Sequence, residues 1–454
     1  MFQNNKDTIV AIATAVGRGG VGVVRLSGLD VLPFINSLIG KPLLPRRATY
    51  SVFSDAEGEA IDEGVALYFP GPSSFTGESI LELQGHGGMV VLDRLVRRCV
   101  ELGARVARPG EFSERAFFND KMDLAQAEAI ADLIDASSVE AARSAVRSMQ
   151  GEFSQLINEL VETMIQVRIF VEAAIDFPEE EIDFLQDKML AADLDQLCND
   201  LTEVLAQAQQ GAILRDGLTV VLAGKPNAGK SSLLNALAGI DAAIVTAVPG
   251  TTRDVLRERI TLGGLPLNII DTAGLRDSDN EIEQEGVRRA WKEIANADQV
   301  LFVADATDTS NPKLEELWPE YFQRNLGSTQ SVTLLLNKID LSGHQPGEID
   351  EATLAISVKD KSGFDALASH LQTKAGYLGH GEGLFSARRR HLIALTNALT
   401  FVQNGIDQLK GAGAGELLAE DLRQAQNELS EITGQFTSDD LLGRIFSSFS
   451  CSCK

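Results

Sequence analysis

The run Gly224-Lys225-Pro226-Asn227-Ala228-Gly229-Lys230-Ser231 constrains this chain more than any other eight residues. It satisfies the pattern G-x-x-x-x-G-K-[ST] in full. A loop of this kind needs a strand running into it and a helix opening out of it. Thr219–Ala223 supplies the apolar strand and Ser232–Leu237 reads as the helix. The glycines let backbone N–H groups converge on phosphate oxygens, and the helix N-terminus adds positive potential. Lys230 is placed to reach the β- and γ-phosphates of a nucleotide and Ser231 to ligate Mg²⁺. Asn227, Ala228, Gly229 and Ser232 belong to the same cradle. The bland alternative is a glycine-rich strand–helix turn with no ligand.

Three later segments narrow the nucleotide. Pro249-Gly250-Thr251-Thr252-Arg253-Asp254 offers threonines that can close on Mg²⁺ and the γ-phosphate and release afterwards. Asp271-Thr272-Ala273-Gly274 follows the apolar strand Leu267–Ile270, with Asp271 set to hold Mg²⁺ through water and Gly274 to offer its N–H. Asn337-Lys338-Ile339-Asp340 follows the strand Thr333–Leu336. A carboxylate at Asp340 accepts from guanine N1 and N2 but would face adenine's edge unpaired, so the motif selects GTP over ATP. Lys338 can lie over the base, Asn337 can tie the loops together, and Ser357-Val358-Lys359 supplies a backbone N–H for guanine O6. Each motif alone is weak; their order and spacing after a complete phosphate loop imply a GTP hydrolase. Many such enzymes place a water-orienting glutamine directly after Asp-x-x-Gly. Here that position is Leu275, and the acidic segment Asp277–Glu285 holds the candidate replacements.

The rest of the 454 residues falls into textures that suggest several domains. Residues 1–118 alternate short apolar runs with glycine and proline: Thr8–Ala13, Val21–Leu26, Gly64–Phe69 and Ile80–Leu83 read as strands and Val90–Leu102 as a helix, an α+β domain. Residues 119–215 are helical. Leu124, Ala127, Ala131 and Ile134 share one face, and Leu190, Leu194, Leu197, Leu201 and Leu205 another. Ile175–Glu181 marks a turn between them. Residues 216–378 alternate strands and helices, the signature of a mostly parallel sheet. Residues 379–454 return to helix, with Leu417, Leu418, Leu422, Ala425, Leu429 and Ile432 on one face. Helix before and after an α/β unit implies one helical domain in two sequence pieces with a nucleotide domain inserted. The fold class expected is therefore multidomain α/β and α.

The formal net charge of −25 argues against coating nucleic acid by bulk attraction. Any RNA partner needs a local basic patch, for which Arg388-Arg389-Arg390-His391 is a candidate and a solvated helix face the alternative. Four scattered cysteines, no signal-peptide pattern at Met1–Lys6 and no long apolar run make the cytoplasm the expected compartment, with no membrane association.

With their flanking segments, these motifs resemble those of the tRNA-modification GTPase family called MnmE or TrmE. The resemblance extends to Gly17-Arg18-Gly19-Gly20-Val21-Gly22, Phe75-Thr76-Gly77-Glu78, Leu83-Gln84-Gly85-His86-Gly87-Gly88, Arg108-Pro109-Gly110-Glu111-Phe112-Ser113 and Leu124-Ala125-Gln126-Ala127-Glu128-Ala129. It implies an N-terminal domain that forms a homodimer and binds 5-formyl- or 5,10-methylene-tetrahydrofolate. It implies a partner flavoprotein, MnmG or GidA, joined in a heterotetramer. Together they would add an aminomethyl or carboxymethylaminomethyl group to C5 of the wobble uridine (position 34) of certain tRNAs. By resemblance, K⁺ takes the place of an arginine finger, held by Asn227, Thr246, the Val248 carbonyl and Thr251, with Thr252 on Mg²⁺. The water-orienting glutamate falls on Glu283, which makes Glu283, Lys230 and Thr252 the catalytic set. The folate contacts fall on Arg25, Glu82, Lys121 and Lys454. Two positions depart from the family pattern: the tail Cys451-Ser452-Cys453-Lys454 has cysteine where glycine is usual, and Val358 stands where alanine is usual. A ribosome-assembly or regulatory GTPase is the competing expectation, and a folate-binding scaffold with vestigial hydrolysis the third.

Overall fold

A computed structural model describes residues 7–15, 17–176, 188–239, 257–271, 281–308, 313–324, 331–379 and 383–435, with the backbone alone for 176, 188, 257 and 281–287. Of the turn expected at Ile175–Glu181, Ile175 and Asp176 instead continue a helix, and the remainder, with the Thr246, Val248, Thr251, Thr252, Thr272, Ala273, Gly274 and Lys454 assignments, lies outside the described residues. The chain divides into two compact units, one of residues 1–134, 148–202 and 393–454, the other of 135–147 and 203–392.

The first unit opens with β1 (Ile9–Ile12), β2 (Gly19–Gly28), α1 (Leu32–Ile39), β3 (Thr49–Ser54), β4 (Ala60–Phe69), β5 (Ser79–Gly87), α2 (Met89–Glu101), β6 (Arg105–Val106), α3 (Glu111–Phe118) and α4 (Leu124–Ile134). The strands form one sheet in the order β3-β4-β5-β2-β1-β6, antiparallel except for β1 with β6. Alternation decides its faces. Leu81 and Leu83 of β5 turn into a core with Phe34, Ile35, Leu92, Leu95 and Cys99 of α1 and α2, while Glu82, Gln84 and His86 take the other side. Burial drives the Cys99 thiol pKa up to about 12, so it packs as a hydrophobe.

The helices that follow are α5 (Val139–Met149), α6 (Glu152–Asp176) and α7 (Lys188–Asp216), and after the nucleotide-domain elements α14 (Arg389–Ala412) and α15 (Gly415–Thr433). In the first unit α15 packs along α6, and Arg168 Nη1 donates to Gln426 Oε1 at 2.6 Å. The apolar stripes carry two corrections. Ile134 and Leu417, expected on buried faces, are 48% and 52% exposed: Leu417 is turned about 100° from its buried neighbour Leu418, and Ile134 is the last residue of α4.

The second unit is built on β7 (Leu218–Gly224), α8 (Lys230–Ala238), β8 (Arg257–Leu262), β9 (Leu265–Asp271), α9 (Glu281–Asn296), β10 (Gln299–Asp305), α10 (Leu314–Leu317), α11 (Pro319–Gln323), β11 (Ser331–Asn337), α12 (Ile339–Ser342), β12 (Gly347–Asp350), β13 (Thr353–Ala355) and α13 (Phe364–Ala375). The sheet order is β12-β13-β11-β10-β7-β9-β8, with only the edge pairs β8–β9 and β12–β13 antiparallel. The five central strands, β13, β11, β10, β7 and β9, run parallel and are apolar almost throughout because both faces are covered. The chain leaves β7 for β9 on one side and returns to β10 on the other. That reversal opens a crevice at the carboxyl ends of the strands, where Gly224, Asp271, Asp305 and Asn337 all sit. No helix among the described residues is long and apolar enough to cross a membrane.

Candidate functional site

The loop between β7 and α8 is shaped by two glycines that nothing else can replace. Gly224 has φ +136° and a Cβ there would lie 2.2 Å from the Val303 carbonyl oxygen; Gly229 has φ +102° and its Cβ would lie 2.2 Å from Asn337 Nδ2. Asn227 takes the left-handed region at φ +64°, which asparagine tolerates better than most side chains. Lys230, first residue of α8, folds its ammonium back over the loop and donates to the carbonyls of Gly224 at 2.8 Å and Lys225 at 3.0 Å.

At the end of the neighbouring β9, Asp271 is 7% exposed and its Oδ1 makes no hydrogen bond among the described residues. Burial raises its pKa, opposed by the Lys230 charge and a hydrogen bond with the Ser231 side chain. A buried carboxylate oxygen without a donor, beside a hydroxyl and an ammonium at a helix N-terminus, is a donor set that suits a hard divalent cation bridged to phosphate. The residues present therefore fit Mg²⁺ and a nucleotide.

Asn337 joins the two loops. Its Nδ2 donates to the Ala228 carbonyl at 2.9 Å, and its Oδ1 accepts from the backbone N–H of Lys338 at 2.8 Å and of Val358 at 3.2 Å. The Val358 N–H, expected to meet guanine O6, is thus already engaged within the protein. Lys338 turns left-handed at φ +67°, and its Nζ donates to Asp305 Oδ2 at 2.6 Å. Asp340 accepts from Ser357 Oγ at 3.0 Å, with Lys359 Nζ 3.6 Å from its other oxygen. Asp305 is the residue the sequence reading missed. Burial works to raise its pKa, but bonds from Lys338 and Thr307 outweigh burial and leave it lowered. The available signal was an acid ending the apolar β10 at the position that pairs with Asn337 of β11. Glu283 lies in the first turn of α9, and its side chain falls outside what is described.

In the first unit, three of the four residues assigned to folate come together around the 75–78 loop. Arg25 of β2 sits opposite Glu82 of β5, and its Nε and Nη2 both reach Glu82 Oε1 at 2.8 Å. The guanidinium lies 5.9 Å from the Phe75 ring and 5.8 Å from the Phe112 ring, two neighbours the sequence reading did not single out. The Lys121 stem passes 3.1 Å from where a Cβ on Gly77 would be. Beside them Arg115, 8% exposed, binds Asp7, Glu78 and Glu111 together.

Sequence comparison gives the family. Residues 8–121 match the profile of the GTP-binding protein TrmE N-terminus, and residues 124–451 match that of the MnmE helical domain. The tRNA modification GTPase MnmE of Ectopseudomonas mendocina (strain ymp) is 58% identical over 452 residues, which is 99% of each chain. The protein of the same name from Marinobacter nauticus is 57% identical over 453 residues, again 99% of each. With both profiles matched in order and such identity along nearly its whole length, the chain belongs to the MnmE family of tRNA modification GTPases.

Proposed function

We propose that this chain is a K⁺-dependent GTP hydrolase which, with a partner flavoprotein of the MnmG or GidA kind, drives addition of an aminomethyl or carboxymethylaminomethyl group to C5 of the wobble uridine of certain tRNAs. The observation that carries the GTPase reading is the buried Oδ1 of Asp271, without a hydrogen-bond partner among the described residues, beside Lys230 and Ser231, at one end of a crevice whose other end holds Asp340. The names of the full-length relatives support the tRNA part. Ser231 and Thr252 would hold Mg²⁺, with Asp271 acting through water, and the ion would supply charge neutralisation on the phosphates. The chain's own groups do the rest. Lys230 exchanges its loop carbonyls for β- and γ-phosphate oxygens. The amides of residues 228–231 orient the phosphates. Asp340 accepts guanine's two donors and Lys338, steadied by Asp305, covers the ring. Glu283 orients the attacking water in the position Leu275 leaves unserved. Asn227, Thr246, Thr251 and the Val248 carbonyl hold K⁺.

The domain scheme proposed is 1–118 for homodimerisation and folate, 119–215 and 379–454 for the helical domain, and 216–378 for GTP. The folate, 5-formyl- or 5,10-methylene-tetrahydrofolate, meets Arg25, Glu82, Lys121 and Lys454, and the complex is a cytoplasmic heterotetramer. GTP turnover in matched K⁺ and Na⁺ buffers tests the hydrolytic half, and equal rates, or ATP bound as well as GTP, would refute it. Nucleoside mass spectrometry of tRNA incubated with chain, flavoprotein, GTP and folate tests the other half. An unmodified wobble uridine alongside brisk GTP turnover would redirect the reading to a regulatory GTPase.

A further inference from the structure

The chain has two tryptophans, and they stack on each other. Trp291 of α9 lies 5.6 Å from Trp318 at an interplanar angle of 24°. Trp318, 6% exposed, stacks in turn on Phe302 of β10 at 4.8 Å and on Tyr321 of α11 at 4.7 Å. The guanidinium of Arg324, at the C-terminal end of α11, sits 4.4 Å over the Trp291 ring. The stack thus joins α9, the helix that follows Asp271 in the chain, to β10, whose last residue Asp305 holds Lys338.

Helix geometry says what such a stack controls. The buried residues of the described part of α9 are Ala290 and Ile294, which are four apart and form a single ridge against the sheet. This ridge fixes the described part of the helix against the sheet, and contacts off its line add resistance to rotation about the axis. Trp291 is turned by about 100° from Ala290 and is half-buried, so it acts as a lever on that rotation. A cation and an aromatic ring both lie against this ring and hold the lever. A roll of roughly 10° moves a side-chain tip by about 1 Å on a helix about 10–12 Å across. A misplacement of about 1 Å can cost up to ~10²-fold in rate.

We infer that the Arg324–Trp291–Trp318 stack is a clamp that sets the rotation of α9, and that Arg324 is a positioning residue for GTP hydrolysis, acting through Trp291. The inference rests on the hydrolytic reading above and concerns the side chains at the start of α9, Glu283 foremost. Arg324 is exposed, so removing its head leaves the core intact.

The experiment uses the full chain with Arg324→Ala, Arg324→Lys, Trp291→Leu and Glu283→Ala, measured for kcat, KM for GTP and the near-ultraviolet circular dichroism of the tryptophan pair. Arg324→Ala is expected to lower kcat roughly three- to tenfold with KM unchanged and to weaken the tryptophan signal. Arg324→Lys, which keeps a cation, should recover most of both, and Trp291→Leu should match Arg324→Ala in kcat. Full kcat in Arg324→Ala despite a weakened signal overturns the clamp, as does an unaltered signal. Glu283→Ala separates this from the assignment of the water-orienting group. Normal kcat there with reduced kcat in Arg324→Ala removes Glu283 from its role and leaves the clamp standing.

Discussion

The crevice of the second unit and the charged cluster of the first each gather ionisable groups around a buried carboxylate, Asp271 in one and Glu111 in the other, yet they are finished differently. In the crevice pairing is incomplete among the described residues: Asp271 keeps an oxygen without a donor, while Lys230 donates to loop carbonyls. In the cluster Arg115 alone serves three carboxylates, Arg105 joins Asp7 to Glu111, and Arg25 closes on Glu82. Incomplete pairing in a buried place costs stability and persists where a ligand completes it. Complete pairing gives a rigid platform and conceals any ligand it serves, because a folate would have to meet Arg25 and Glu82 while they hold each other.

The largest effect expected from this contrast is in the cluster. Arg115→Met leaves Glu111, 1% exposed, and Glu78 without their shared cation. Breaking a buried pair by removing one partner costs about 3–5 kcal/mol. Urea unfolding of the variant should show that loss in the transition of the first unit, and a loss below about 1 kcal/mol would mean the cluster is solvated and not self-supporting. Next in size is Asp340→Asn, which turns an acceptor into a donor facing guanine's own donors. GTP affinity should fall by roughly 2–4 kcal/mol by titration. Unchanged GTP affinity would take Asp340 out of base recognition.

Asp271→Asn sharpens the contrast further because its two effects have opposite sign. The charge that burial disfavours is removed, so the nucleotide-free variant should be more stable by about 1 kcal/mol, read as a higher melting temperature. Turnover should collapse along with Mg²⁺ affinity. The sign follows from linkage. A carboxyl whose folded pKa is raised favours the folded state while protonated and loses that advantage as pH climbs from the unfolded value through the raised one. The wild type, not the asparagine variant, should therefore lose stability over that interval. A variant less stable than wild type at neutral pH would show that Asp271 has a partner after all.

What could be read from the sequence follows the same division. Gly224–Ser231, Asp271 and Asn337–Asp340 announce themselves because phosphate and guanine impose fixed residue types at fixed spacing on strand ends, and the strands beneath are short apolar runs. Strand β9 was legible, but its hairpin partner β8 was not, because Arg257–Leu262 is half polar on a sheet edge; β12 and β13 are shorter still. Asp305 and Arg115 went unread for a different reason. Their partners lie 33 residues away for Asp305 and as many as 108 away for Arg115, and no local pattern encodes such pairs. The rings flanking Arg25 were present within quoted motifs, but only the fold brings Phe75 and Phe112 to the same guanidinium.

The smallest effect concerns a pair on the first sheet with one member open to solvent. Asp62 accepts from the His86 backbone N–H at 2.7 Å, and its other oxygen lies 2.8 Å from His86 Nδ1. With Nδ1 carrying the proton, Nε2 points its lone pair outward on a ring that is 71% exposed. The hydrogen bond with Asp62, and then its charge, raise the His86 pKa. The stabilisation is accordingly complete below the unfolded histidine value near 6.5 and disappears as pH rises through the higher folded value. Asp62 is lowered: burial pushes up, but the His86 bonds prevail, so its share is present above the unfolded carboxylate value and lost as pH falls through the depressed one. The pair therefore contributes most between those limits, and screening on so open a ring keeps the contribution small. The chain has five histidines, few enough for each imidazole to be followed by NMR. His86 should titrate above about 6.5 and fall back towards that value in Asp62→Asn, with GTP turnover unchanged. A His86 that titrates at or below the ordinary value would place this pair with the merely solvated charges, leaving the first sheet with no group open to an outside partner at this end of β5.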